Sequence, residues 1–227
     1  MLIIFDLDDT LIDTSGCITP LKLEDALKRM VEAGLDLPSF PEALEMLRRL
    51  DDSSESARHT LAEFLEINHI DNKFLDIGIK EVYGDLPPDL PVFARDQALE
   101  VLLELKDLHE LALVTIGKPE QQGWKMKKAG IDSTIFSKLI VSEERNKKLH
   151  YQAIAEELGF RETEVVVCGD RIAIDLSPAR ELGFKTVHMR WGRGLNGSGP
   201  KSDVDYTITE LAEMREIISG LMSFSSF

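Results

Sequence analysis

Residues 2–11 read LIIFDLDDTL, and this stretch decides the fold. Its first four residues are apolar and two of them are β-branched, which is typical of a short strand buried on both faces of a sheet. Three carboxylates, Asp6, Asp8 and Asp9, then follow within four positions. Acids this close repel one another, so the cluster is costly unless a cation neutralises it or a reaction uses it. The end of this strand is therefore the first candidate for a functional site.

The composition bounds the class of protein. The 227 residues, with 43% hydrophobic and 30% charged side chains, suffice for one sizeable α/β core and a smaller insertion. The formal net charge of −15 argues against a nucleic-acid or anionic-membrane partner, because both require a basic patch. The chain has no apolar run of membrane-spanning length and enters its first strand at residue 2, so we expect a cytoplasmic protein without a membrane contact.

The hydrophobic pattern changes twice along the chain. From residue 16 to residue 92 the apolar positions follow helical spacing, as at Leu23, Leu27 and Met30, and no segment has the pattern of a strand. This part ends at a rigid connector that contains Pro87 and Pro88. We therefore predict an all-helical insertion over residues 16–92, within a core made of residues 1–15 and 93–227.

After residue 96 helices and strands alternate. Apolar, β-branched runs predict strands at residues 111–114, 138–141, 165–168 and 185–189, with a possible edge strand at residues 205–208. Helical patterns lie between them and predict helices near residues 96–107, 119–129 and 149–158, with a last helix near residues 209–221. This alternation predicts an α/β fold with a doubly wound parallel sheet.

Polar side chains follow the predicted strands, and the carboxyl ends of parallel strands meet at one edge of a sheet. The residues that come just after these strands are acids, a hydroxyl and lysines: Asp6, Asp8, Thr115, Lys147, Lys148, Asp170 and Asp175. Carboxylates from different strands suit a hard cation such as Mg²⁺, and a hydroxyl and a lysine suit phosphate oxygens. An aspartate can also attack phosphorus directly, and a second carboxyl group two residues on can protonate the leaving oxygen.

Four motifs in order resemble those of the haloacid dehalogenase (HAD) superfamily. The segment from Asp6 to Thr10 is similar to its aspartate-x-aspartate-x-threonine motif. Residues 114–117, with Gln122 and Lys125 downstream, are similar to the second motif. Lys147, four residues before a tyrosine, resembles the third, and residues 169–175 (GDRIAID) resemble the acidic fourth. The resemblance covers the chain outside the helical insertion and implies a HAD-like, Rossmann-type core.

The resemblance also implies roles for these residues. Asp6 would be the nucleophile and Asp8 the general acid and base. Mg²⁺ would be held by Asp6, the backbone carbonyl of Asp8 and Asp170, with Asp175 nearby or in the outer shell. The helical insertion would be a C1-type cap. Because the dehalogenases of the superfamily lack an acid at the position of Asp8, the resemblance favours a phosphatase over an enzyme that cleaves carbon–halogen bonds.

Thr115 and Lys147 would hold the phosphoryl group. The proline that often follows the lysine in the third motif is missing here, so Lys148 stays an alternative to Lys147, and spacing to Tyr151 favours Lys147. Ile116 stands where asparagine is common in the second motif. Asp175 has a second interpretation as a helix cap, because a short polar side chain before a helix often serves that purpose.

These features together predict a Mg²⁺-dependent phosphatase that hydrolyses a small phosphorylated metabolite through an aspartyl-phosphate. Two alternatives stay open. The same residues in relatives catalyse phosphosugar mutase or pyrophosphatase reactions, and a HAD-fold protein can also bind a ligand without catalysis. Fold and motif determine the reaction type and not the leaving group, so the substrate itself stays open.

Overall fold

The computed structural model describes residues 1–224, which fold as two compact units. The core unit combines residues 1–13 with the chain from residue 92 onward, and the helical unit is residues 14–91. Among the described residues, no helix combines the length and the apolar character needed to cross a membrane.

Six strands in the described part of the chain form one sheet, in which every pair of neighbours is parallel. The strands are β1 (Leu2–Phe5), β2 (Glu110–Ile116), β3 (Lys138–Ser142), β4 (Val165–Gly169), β5 (Lys185–Met189) and β6 (Tyr206–Ile208). Their spatial order is β3-β2-β1-β4-β5-β6, so the direction of winding reverses between β1 and β4. In open parallel sheets, this reversal opens the crevice where ligands bind.

Ten α-helices lie within residues 1–224. In chain order they are α1 (Thr14–Cys17), α2 (Thr19–Glu32), α3 (Phe40–Ser53), α4 (Ala57–Ile67), α5 (Lys73–Val82), α6 (Ala98–Lys106), α7 (Pro119–Lys128), α8 (Lys148–Leu158), α9 (Ser177–Glu181) and α10 (Met214–Phe224). In the core unit an α-helix lies between each pair of consecutive strands from β1 to β5, whereas two 3₁₀ helices connect β5 to β6. The predicted α/β fold with a doubly wound parallel sheet is therefore confirmed.

The centre of the sheet is its most buried part. Every residue of β1 and β4 is buried, and apolar side chains from both strands join one core cluster with residues of α8 and α9. Burying a side chain such as Ile4 or Val167 contributes about 1.5–3 kcal/mol. Continuous apolar runs are what strands buried on both faces require, which explains why the sequence predicts these two strands so clearly.

Two helix starts differ from the sequence prediction, each for a local reason. Helix α6 begins at Ala98 because Gln97 has a left-handed backbone, with φ of 57°. The last helix starts at Met214, five residues later than predicted. The Glu213 side chain accepts hydrogen bonds from the backbone N–H groups of Thr209 and Glu210, and this capping box encloses a 3₁₀ turn before the α-helix begins.

The helical unit contains no strand within its described residues, and it has its own apolar core. Leu23 and Leu27 of α2 pack in one cluster with Leu61 and Phe64 of α4. A buried lysine, Lys22, is paired with Glu81 at 3.1 Å. The helical unit therefore has the internal packing of an independent module, and its role as a cap stays a prediction.

Candidate active site

The candidate site begins where β1 and β4 end side by side. Phe5 lies opposite Cys168 in the parallel register, so Asp6 and Asp170 follow closely after neighbouring strands. The Asp6 N–H donates to the Cys168 carbonyl at 2.9 Å, which fixes the backbone at the start of the loop. The crevice predicted at the switch point thus receives a carboxylate from each side.

A π-helical turn over Ile172–Leu176 brings a third acid back to the same place. Single π-helical turns occur frequently at functional sites. Asp175 lies on this turn, and a Cβ added to Gly169 would come within 2.5 Å of its Cβ. The chain therefore needs glycine at position 169 for Asp175 to approach the end of β4.

Lys147 connects two of these acids. Its Nζ donates to Asp6 Oδ1 and to Asp175 Oδ1, each at 2.6 Å. The three side chains are at most 2% exposed. Lys148 instead pairs with Glu181 at 2.7 Å at the surface, where its side chain is 36% exposed. Of the two lysines that the sequence leaves open, the structure brings Lys147 to the acids.

The buried charged groups shift one another's pKa values. Burial raises the pKa of Asp6 to about 6, against the opposing effect of Lys147 and with a further increase from Asp175. Burial also raises the pKa of Asp170. Burial alone would lower the pKa of Lys147, but Asp175 and Asp6 outweigh it, so the pKa of Lys147 is raised and the ammonium stays charged.

The pKa of Asp175 shifts in the opposite direction to that of Asp6. Burial would raise the pKa of Asp175, but Lys147 and Arg171 outweigh it and lower that pKa. Both of its oxygens have donors, because Oδ1 accepts from Lys147 Nζ and Oδ2 accepts from the Arg171 backbone N–H at 2.9 Å. Asp175 is therefore the acid of this group that is most fully satisfied by the protein itself.

The acid group fits a hard cation. Asp6, Asp170 and Asp175 each present a carboxylate oxygen, and these oxygens lie within 4.8 Å of one another. Asp6 Oδ2 and Asp170 Oδ1 are buried and have no hydrogen-bond partner in the structure. Unpaired carboxylate oxygens are costly to bury. A cation such as Mg²⁺ prefers oxygen ligands and would satisfy both atoms.

Asp8 belongs to a second group, which depends on α7. Lys125 Nζ donates to Asp8 Oδ1 at 2.8 Å, and Gln122 Nε2 donates to Asp8 Oδ2 at 2.8 Å. Gln122 Nε2 also donates to Thr115 Oγ1 at 2.7 Å. Thr115 is 1% exposed at the end of β2, whereas the Asp8 side chain is 26% exposed. The predicted phosphate-binding hydroxyl and the predicted acid are therefore joined through one glutamine.

The sequence assigns no role to three residues that the structure places in these groups. Gln122 and Lys125 contact Asp8. Arg171 Nε lies 3.9 Å from Asp170 Oδ1. The i, i+3 spacing of Gln122 and Lys125 on a predicted helix after Thr115 indicates that they share one face of that helix. No comparable signal marks Arg171, which simply follows Asp170 at a strand end.

The fold and this site define an α/β protein with a candidate cation-binding centre at the switch point of its sheet. A model of the haloacid dehalogenase-like hydrolase family matches residues 1–183. The chain therefore belongs to the haloacid dehalogenase-like hydrolases, as its motifs predict.

Relatives support this assignment. A glyceraldehyde 3-phosphate phosphatase of Methanocaldococcus jannaschii is 31% identical over an alignment of 228 positions, which covers 96% of this chain and 97% of the relative. A protein of the same name from Pyrococcus furiosus is 25% identical over 95% of this chain and 92% of its own length. A predicted phosphoglycolate phosphatase from Haemophilus somnus 129PT shares the fold, with a TM-score of 0.70, 19% identity, and coverage of 96% of this chain and 97% of that one.

Proposed function

We propose that this protein is a Mg²⁺-dependent phosphatase that hydrolyses a small phosphomonoester through an aspartyl-phosphate on Asp6. One observation carries the proposal. Three aspartates and Lys147 meet in a buried group, in which Asp6 Oδ2 and Asp170 Oδ1 have no hydrogen-bond partner. The phosphatase names of relatives that match over nearly the whole chain support the same reaction.

In this proposal Asp6 and Asp170 would hold the cation through the two oxygens that have no hydrogen-bond partner, together with the backbone carbonyl of Asp8. Asp175 has a donor on each oxygen and keeps Lys147 and the end of β4 in place, so we assign it a position outside or at the edge of the coordination shell. When bound, Mg²⁺ would neutralise the charge of the acids and of the substrate phosphate.

Lys147 and Thr115 bind the phosphoryl oxygens. An ammonium group has three hydrogens, and Lys147 uses two of them for Asp6 and Asp175, which leaves one for a phosphate oxygen. The Thr115 oxygen accepts from Gln122, so its own hydrogen is directed elsewhere and can be donated to the phosphate. Phosphoryl transfer depends mainly on such positioning and charge stabilisation.

The reaction then follows from the two acids of the first motif. An Asp6 carboxylate oxygen attacks phosphorus, the bond from phosphorus to the leaving oxygen breaks, and Asp8 gives its proton to that oxygen. In the second half, Asp8 takes a proton from water, the hydroxide attacks the phosphorus of the aspartyl-phosphate, and Asp6 is released with inorganic phosphate. The greater exposure of Asp8 suits a group that must reach the leaving group and water.

The names of the relatives also suggest the first substrate to test. We propose a three-carbon phosphomonoester such as glyceraldehyde 3-phosphate. The helical unit is proposed to be the cap. Between residues 16 and 92 the sequence has 8 Lys and Arg against 16 Asp and Glu, which suits a small substrate better than a polyanion.

The test is a panel of phosphomonoesters, including glyceraldehyde 3-phosphate, assayed with Mg²⁺ and with a chelator. We expect Mg²⁺-dependent release of phosphate from the wild type and none from Asp6→Asn. Full turnover by Asp6→Asn would contradict the nucleophile assignment. Interconversion of a phosphosugar with slow net hydrolysis would indicate a mutase instead, and a folded, Mg²⁺-saturated protein that hydrolyses nothing would favour a binding protein.

A further inference from the structure

We infer that Gln122 and Lys125 are positioning residues, which hold the Asp8 carboxyl group in one orientation and direct the Thr115 hydroxyl toward the phosphoryl group. The inference rests on the proposed function, because it concerns how the acid of that reaction is placed. It assigns a purpose to one face of α7.

Two donors on one face of α7 contact the Asp8 carboxyl group. Gln122 and Lys125 are three residues apart on α7 and therefore lie on the same side of the helix. Each supplies one donor, and each donor meets a different oxygen of Asp8, both at 2.8 Å. Two donors on two oxygens define the plane of the carboxyl group, so rotation about the bond to that group would break both contacts.

Asp8 and its two donors differ in exposure. The Asp8 side chain is 26% exposed, and a carboxyl group at such a position would rotate freely without specific contacts. Gln122 is only 1% exposed, and the Lys125 side chain is 13% exposed. The donors are therefore more deeply buried than the group they hold.

The acceptors around the Gln122 amide determine its orientation. Asp8 Oδ2, as a carboxylate oxygen, and the Ile116 carbonyl oxygen both lie next to the Gln122 atom at the Nε2 position. Both oxygens accept hydrogen bonds and donate none. The amide nitrogen must therefore face them. Its two hydrogens match the two short contacts, to Asp8 Oδ2 at 2.8 Å and to Thr115 Oγ1 at 2.7 Å. Thr115 is thereby an acceptor toward Gln122, and its own hydrogen points elsewhere.

The loop after β2 leaves space for the Gln122 side chain because residue 117 is glycine. Gly117 has φ of +153°, and a Cβ added there would come within 3.1 Å of Gln122 Cδ and 3.2 Å of Gln122 Cγ. A side chain at position 117 would therefore press on the glutamine that joins Thr115 to Asp8. The glycine of the second motif and the glutamine five residues later belong to one arrangement.

Lys125→Met tests the inference with two substrates. Glyceraldehyde 3-phosphate has a poor alkoxide leaving group and needs the proton from Asp8, whereas p-nitrophenyl phosphate has a leaving group that departs without one. The ratio kcat/KM reports the steps up to the first irreversible one, which includes transfer to Asp6. We expect Lys125→Met to lower kcat/KM about 10- to 100-fold for the alkyl substrate and less than about threefold for the aryl substrate.

Controls separate positioning from a general structural effect. Lys127→Met changes an exposed lysine on the same helix and should leave both ratios within about twofold of the wild type. Lys125→Arg keeps a donor for Asp8 and should restore most of the alkyl activity. The inhibition constant of inorganic phosphate should be unchanged in Lys125→Met, because that variant leaves Thr115 and Lys147 intact.

Gln122→Leu removes both functions of the glutamine. We expect kcat/KM to fall for both substrates, because Thr115 loses its orienting donor, and to fall further for the alkyl one. Equal losses for the two substrates in Lys125→Met, or no loss in either, would overturn the positioning inference while wild-type activity and an inactive Asp6→Asn upheld the proposed function. A wild type without phosphatase activity, or an active Asp6→Asn, would overturn both.

Discussion

Asp6 and Asp8 are two residues apart in sequence, yet their surroundings differ completely. Asp6 is 2% exposed and bound by Lys147, in a group that also includes Asp175. The Asp8 side chain is 26% exposed and is bound by Lys125 and Gln122. One acid is held among buried charges, and the other lies at a partly open edge with donors from a single helix.

The difference shows how one short motif can supply two kinds of chemistry. A buried acid with one unpaired oxygen suits a nucleophile and cation ligand, because little water competes for that oxygen. An acid at a partly exposed edge suits proton transfer, because it can reach both the leaving group and water. The following experiments test this difference between Asp6 and Asp8, in order of decreasing expected effect.

Asp6→Asn should have the largest effect on turnover. The amide cannot form an aspartyl-phosphate, so we expect kcat to fall on the order of 10⁴-fold or more in a steady-state phosphate-release assay. Asp107→Asn, at an exposed position in the core unit, is the matched control and should keep wild-type activity. A loss of less than about tenfold in Asp6→Asn would contradict the nucleophile role that distinguishes Asp6 from Asp8.

Lys147→Met should have the largest effect on stability. It leaves the buried Asp6 and Asp175 without their shared cation, which should cost about 3–5 kcal/mol in the free energy of unfolding of the metal-free protein. Urea unfolding measures this cost. Lys148→Met removes a surface pair with Glu181 and should cost at most about 1 kcal/mol. Similar costs for the two variants would show that Lys147 does not neutralise the acids.

Asp8→Asn should reduce activity without this loss of stability. Removing a general acid and base typically slows a reaction about 10²- to 10⁴-fold, and we expect a value in this range for kcat on an alkyl phosphate. The urea midpoint should stay close to that of the wild type, because Asp8 is partly exposed. A strongly destabilised Asp8→Asn with unchanged activity would reverse the roles that we assign to the two acids.

The smallest effect concerns pH. The pKa of Asp6 is raised to about 6 in the metal-free protein, and a bound proton must leave before a cation can bind. Mg²⁺ affinity should therefore be constant well above that pKa and fall up to about tenfold per pH unit below it, with the raised pKa of Asp170 adding to the slope. Calorimetric titration with Mg²⁺ at about pH 5 and pH 7.5 measures the difference; equal affinities would contradict it.

The fold could be predicted largely from the sequence, because strands buried on both faces are continuous apolar runs. Residues 165–168 (VVVC) illustrate this clearly. The helix boundaries were less accessible. The left-handed backbone of Gln97 and the capping contacts of Glu213 depend on local geometry that hydrophobic periodicity does not report.

The candidate site could be predicted only in part. The sequence indicated which acids follow strands, because parallel strands end at one edge. It favoured Lys147 over Lys148 through the spacing to Tyr151 but left both open, because the start of α8 determines which of the two turns inward. The donors on Asp8 were also not assigned, because a glutamine and a lysine on a polar helix usually face water.

The most direct test of the central claim is to find the phosphoryl group on the protein. Asp8→Asn should slow hydrolysis of the intermediate and allow it to accumulate with p-nitrophenyl phosphate, whose leaving group needs no proton. After acid quenching, peptide mass spectrometry should show one added phosphoryl group on the peptide that contains Asp6. A phosphoryl group on another residue, or continued turnover with no phosphorylated peptide at any quench time, would contradict the account.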